Sequence, residues 1–102
     1  MKTFAFRELQ FDITDENNKR VLWYKDSYDS HLEIHPDIKK YVHLIPEILK
    51  SCQIRKKEGN YIHYYHPVRI DKRGKQLYLR IVVNYNPDPA NISTAHLTSN
   101  IK

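Results

Sequence analysis

One stretch limits the possible folds more than any other. Gln76 to Tyr85, Q-L-Y-L-R-I-V-V-N-Y, is dense in β-branched and aromatic residues, which suit a pleated surface better than a helix. It predicts a strand buried on at least one face, in the middle of a sheet. A central strand needs neighbours, and the flanking sequence supplies them. Ile54 and Lys56, then the run Tyr61 to Tyr65, alternate with period two around Glu58-Gly59-Asn60 and predict a hairpin. Val68-Arg69-Ile70 leads to a second turn at Asp71 to Lys75. Asn86 to Asn91 is a loop, and Ile92 to Leu97 a last strand.

The first half of the chain has a different rhythm. Phe4 and Phe6, then Leu9, Phe11 and Ile13, alternate with one phase break and predict a strand near residues 8–13. Thr14 to Lys19 is an Asn-rich turn. Val21 to Tyr24 is a short strand or the lead into a helix, with Asp26 and Ser27 as candidate caps. His35 precedes Pro36, so it ends one element, and Pro36 suits the first turn of the next. Ile38, Tyr41, Val42 and Ile45 then form one helical face, which Pro46 breaks before a second short helix over 47–51. The expected architecture is α+β: two or three short N-terminal helices on one face of a twisted, four- to five-stranded antiparallel sheet. At 102 residues, the whole chain, 1–102, is expected to be a single domain.

Charge is unevenly spread. Residues 1–47 hold seven Lys and Arg against nine Asp and Glu; residues 48–102 hold ten against three. The basic half suits a partner with phosphates or an acidic protein, and the plainer reading is a solvated basic face. Cys52 is the one cysteine, which leaves no internal disulfide and no thiolate zinc cluster; its place at a helix end marks it as a half-buried structural thiol. No apolar run approaches the ~18–20 residues that span a bilayer, and charges interrupt the N-terminal residues at once, unlike a secretory signal. The expected location is the cytoplasm, or the cytoplasm of a cell into which the protein is delivered.

Six histidines stand out in a chain this short. Imidazole titrates near neutrality, so two of them can act as base and acid in one reaction. Cleavage of RNA without a metal needs such a kit: a base for the 2′-hydroxyl, an acid for the leaving 5′-oxygen, and a cation or hydroxyl donor for the charge that builds on phosphorus. The candidates are His31, His35, His96, Arg80, Lys56, Tyr64, Tyr65 and Thr94. Each also has a structural reading. His31 and His35 suit backbone carbonyls near a helix start; Thr94 is an ordinary strand residue; Arg80, inside the most apolar strand, is a phosphate clamp or a cross-strand ion pair. Tyr61, Tyr64 and Tyr65 are core packing, or stacking platforms beside Arg55, Lys56 and Lys57, a mixture suited to single-stranded RNA. His63-x-x-His66 has the look of a metal pair, yet residues three apart on a strand face opposite sides, and no third ligand is evident. No phosphate loop, nucleophile elbow or carboxylate pair is present. The sequence predicts neither a metal nor a cofactor.

Taken together, Trp23, His31-Leu-Glu-Ile-His35-Pro36-Asp37, Ile45-Pro46-Glu47-Ile48-Leu49, Tyr61 to Tyr65, Leu79-Arg80-Ile81-Val82-Val83 and Ile92-Ser93-Thr94-Ala95-His96 resemble phage- and mobile-element-borne members of the barnase–EndoU–colicin–RelE-like (BECR) nuclease fold, over roughly residues 20–102. The resemblance implies two N-terminal helices on an antiparallel sheet. It also implies metal-independent ribonuclease activity, often as a toxin held by a partner. The expected partners are RNA, transfer RNA included, and an antitoxin or immunity protein. It points to His31, His35, Arg80 and Thr94 as catalytic. Where the family usually carries an aromatic after Thr-Ala, this chain has His96, and the N-terminal strand lies beyond the family core.

Overall fold

A computed structural model describes residues 8–101; Phe4 and Phe6 lie outside the described residues. The elements are β1 (Leu9–Thr14), β2 (Arg20–Tyr24), α1 (Lys25–Ile34), a 3-10 segment (Pro36–Leu44), α2 (Ile45–Ser51), β3 (Ile54–Glu58), β4 (Tyr61–Ile70), β5 (Gln76–Asn84) and β6 (Ala90–Thr98). Among the described residues, no helix is long and apolar enough to cross a membrane.

The class is α+β, but the sheet is larger than expected and is mixed. Six strands run in the order β1-β2-β6-β5-β4-β3. The Asp15–Lys19 turn folds β2 back on β1, which turns Arg20–Tyr24 into a strand in its own right. The helices carry the chain to the far edge, and β3 to β6 return as an antiparallel meander. That route brings β6 alongside β2 in parallel, through only two residue pairs, Val21–Ala90 and Leu22–Asn91. Everything between them is the crossover that a parallel pair requires.

The helical region also departs from expectation in detail. α1 starts immediately after β2, with Tyr24 at the N-cap, so Asp26 and Ser27 lie inside its first turn. Pro36 opens a 3-10 segment rather than an α-helix. Its far end follows from Pro46: in an α-helix the Val42 carbonyl accepts from residue 46, and proline has no N–H to give. Ile45 N–H bonds the Val42 carbonyl instead, a 3-10 contact. Pro46 then sits in the first turn of α2.

Helices and strands meet in one core. Ile38, Ile45, Ile48 and Leu49 pack with Trp23, Tyr28, Tyr64, Leu79, Ile81, Val83 and Ala95. Cys52 is more deeply buried than the half-buried thiol expected, with Sγ 3.3 and 3.2 Å from the Ile54 and Tyr65 carbonyls. The hairpin turns at Gly59 and Gly74 need positive φ, +61° and +81°, which glycine adopts without strain.

A polar network ties the β1–β2 turn to this core. Asp15 is 5% exposed. One carboxylate oxygen accepts from the amides of Asn17 and Lys19, and the other from the Tyr85 hydroxyl at 2.8 Å. Tyr85 in turn accepts from the Tyr64 hydroxyl at 2.7 Å. Burial and these bonds push the Tyr85 phenol far above its ordinary range. Removing the carboxylate leaves buried donors unpaired. Asp15→Ala is expected to cost about 2–4 kcal/mol in urea unfolding, and Tyr85→Phe about 1–2 kcal/mol.

Candidate active site

The site begins with the strand register. On β5, Arg80 stands opposite Tyr65 of β4 and His96 of β6. Directly opposed residues share a face, and so do residues two apart along a strand. Arg80, Tyr65, His63, His96 and Thr94 are therefore gathered on one face, and Tyr64, Ile81 and Ala95 on the other, against the helices.

Arg80 is bracketed by two imidazoles. One terminal nitrogen lies 3.2 Å from His96 Nε2 and the other 2.6 Å from His63 Nδ1. A guanidinium only donates, so both ring nitrogens accept. That assigns the tautomers: neutral His96 carries its proton on Nδ1, and neutral His63 on Nε2, which lies 4.0 Å from Glu58. The guanidinium also sits 6.0 Å from the centre of the Tyr65 ring. Its Nε is shut off from solvent with no partner, and no carboxylate pairs with Arg80 among the described residues.

α1 brings the other two histidines. Trp23 packs edge-on against Tyr28 at 5.2 Å and against His31 at 5.6 Å, which fixes the helix on the end of β2. His35 follows His31 by four residues, so the two stack along the same helix side, ring centres 4.8 Å apart. From His35 the next ring is His96, at 6.0 Å. A continuous row results: Trp23, His31, His35, His96, Arg80, His63.

His31 has a second task. Because β2 and β6 pair so briefly, the edge of β6 beyond Asn91 is open. His31 Nε2 meets that edge at both groups of Ala95, 3.1 Å from the amide nitrogen and in close contact with the carbonyl oxygen. One nitrogen cannot serve both at once: bare, it accepts the amide; protonated, it donates to the carbonyl. Thr94 Oγ1 lies 3.5 Å from the same nitrogen.

Electrostatics follow from this crowding. Burial lowers the basicity of His96, and the Arg80 charge, His35 and His31 lower it further, against a small opposing effect of Asp37. Burial, then Arg80, does the same to His63, with Glu58 opposing. Among the described residues, no three His, Cys, Asp or Glu side chains are grouped to hold a metal ion.

Of the residues singled out in the sequence, His31, His35, Arg80, Thr94 and His96 come together. Lys56 lies opposite His63 on the same face and is exposed. Lys57 points to the other face, opposite Ile62. Tyr64 and Tyr65 do not offer stacking platforms: they are 1% and 2% exposed. Tyr64 lies in the core, with Arg55 over its ring at 5.4 Å, and Tyr65 supports Arg80. His63 is the addition. Its partner in the metal-like spacing, His66, pairs with Leu79 on the opposite face.

The lowered basicity of His63 and His96 has a signed consequence. Below pH ~6.5, the unfolded chain takes up protons that the folded rings refuse. Stability is expected to be complete above that pH and to fall as pH drops through the window below it. Melting curves between about pH 8 and pH 5 check this: the decline is expected to shrink in a His63→Gln/His96→Gln variant, whose amide oxygens still accept from Arg80. The chain matches no protein family, no curated protein and no solved structure.

Proposed function

We propose that the protein is a ribonuclease that cuts RNA by attack of the 2′-hydroxyl, without a metal ion, leaving 2′,3′-cyclic phosphate ends. The observation that carries the reading is the His35–His96–Arg80 cluster beside Thr94 and His31. Two imidazoles near a guanidinium free of carboxylates are the groups that phosphodiester cleavage uses. His96 is held neutral and can take a proton. Its Nε2 lone pair is engaged with Arg80 in the free protein. A substrate phosphate competes for that guanidinium, which releases the lone pair to the 2′-hydroxyl. His35, across the 6.0 Å ring spacing, then gives a proton to the leaving 5′-oxygen. Arg80 and Thr94 donate to the non-bridging oxygens, and Lys56 extends the cationic surface. The resemblance to BECR nucleases supports a toxin role, restrained by an antitoxin or immunity protein.

A second reading has its own support. His31 is committed to the Ala95 backbone, and Arg80 to two rings, which is also how a stable, noncatalytic RNA- or protein-binding face is held together. Incubation with total RNA and transfer RNA in EDTA separates the two. The nuclease is expected to produce cyclic ends, with rates about 10²–10⁴-fold lower in His96→Gln and in His35→Gln. Thr94→Val is expected to cost less. Intact RNA after incubation with folded wild type selects the binding module, and cleavage that survives in a variant carrying both His35→Gln and His96→Gln removes the assignment of roles.

A further inference from the structure

The β4–β5 hairpin outruns its neighbours. β3 pairs with β4 only over Tyr61–Tyr65, and β6 reaches β5 only as far as Tyr78. Residues 67–77 therefore continue as a two-stranded ribbon whose strands pair only with each other. Its tip is well held. Asp71 N–H bonds the Lys75 carbonyl at 2.8 Å, and the Asp71 carboxylate accepts from the amides of Arg73 and Lys75. With that carboxylate occupied by backbone, Arg69, Lys72, Arg73 and Lys75 are all exposed, and none has a carboxylate partner among the described residues.

We infer that this ribbon is a docking arm for the double-stranded part of a folded RNA, holding a stem while an adjoining unpaired segment enters the histidine cluster. The inference rests on the ribonuclease reading for the role of the cluster, but the ribbon's chemistry stands by itself. Four exposed cations within seven residues of one hairpin suit closely spaced phosphates. The sequence from Pro67 to Leu77 contains no aromatic residue, so the arm lacks the stacking platforms that hold single strands. Backbone charge without base stacking is the recognition a duplex offers, since an RNA helix is read mainly by shape and phosphate. Geometry agrees: Gln76, at the base of the turn, is roughly 13 Å along β5 from Arg80, a few nucleotides from the cluster.

The test uses a stem–loop RNA and an unpaired hexanucleotide, both 2′-O-methylated so that neither offers a hydroxyl to attack. Wild type is compared with a variant carrying Arg69→Gln, Lys72→Gln, Arg73→Gln and Lys75→Gln, whose melting temperature should match wild type. The variant is expected to bind the stem–loop at least about tenfold more weakly, with a salt dependence shallower by about three in logarithmic slope. Its affinity for the hexanucleotide is expected to change less than about twofold. Equal losses on both RNAs, no loss on either, or no binding of the stem–loop by wild type overturns the inference. A selective loss accompanied by intact unmethylated RNA keeps the arm and removes the nuclease.

Discussion

The site depends on one placement: a guanidinium in the middle of the central strand. Arg80 lies between Leu79 and Ile81, both fully buried. It is tolerated there because the alternating pleat turns it away from the helices, and because the neighbouring strands each present an imidazole in register. The usual answer to a partly buried arginine is a carboxylate. Here the acceptors are neutral rings, so the positive charge is solvated without being cancelled. Burial, and then the Arg80 charge, lower the basicity of His63 and His96, and Arg80 stays available to an anion because these partners carry no charge.

The break between β2 and β6 is the second constraint. A longer parallel ladder would have closed the edge of β6 and left no place for α1 at that end. The ladder stops after two pairs, Trp23 anchors the helix start, and His31 fills the opening at Ala95. The same ring thus completes the sheet edge and links the row of imidazoles. Its loss removes a backbone partner as well as a candidate proton carrier, so stability and chemistry at this position are not separable by deletion alone.

Much of the fold was legible because it is written locally. Pro36 and Pro46, the period change after Cys52, and the two glycine turns place the helices and the hairpins close to where they occur. The sixth strand and the parallel pairing were not legible, because nothing local in Arg20–Tyr24 specifies its partner. The site was half legible for a related reason. Counted back from the Asp71–Lys75 turn, with Ile70 opposite Gln76, an unbroken ladder would set Tyr65 opposite Ile81 and His66 opposite Arg80. The register shift between Pro67 and Arg69, where proline cannot donate to the ladder, moves the pairing by one residue. It places Tyr65 opposite Arg80 and hands the arginine to His63. Composition gave the histidines; only the bulge decides which of them meet the charge.

That choice also sets the electrostatics of the cluster. Local rules favour a carboxylate beside an arginine and an apolar residue at a central strand position, and natural chains depart from such rules mainly where function compensates. Burial and then the Arg80 charge raise the cost of protonating His63 and His96. On the proposed reading, an incoming phosphate reverses the sign of that cost. It gives Arg80 the negative partner it lacks and makes protonation of the adjacent rings favourable when a proton must be passed. A binding face needs only the first of these effects; the proposed acid–base chemistry needs both.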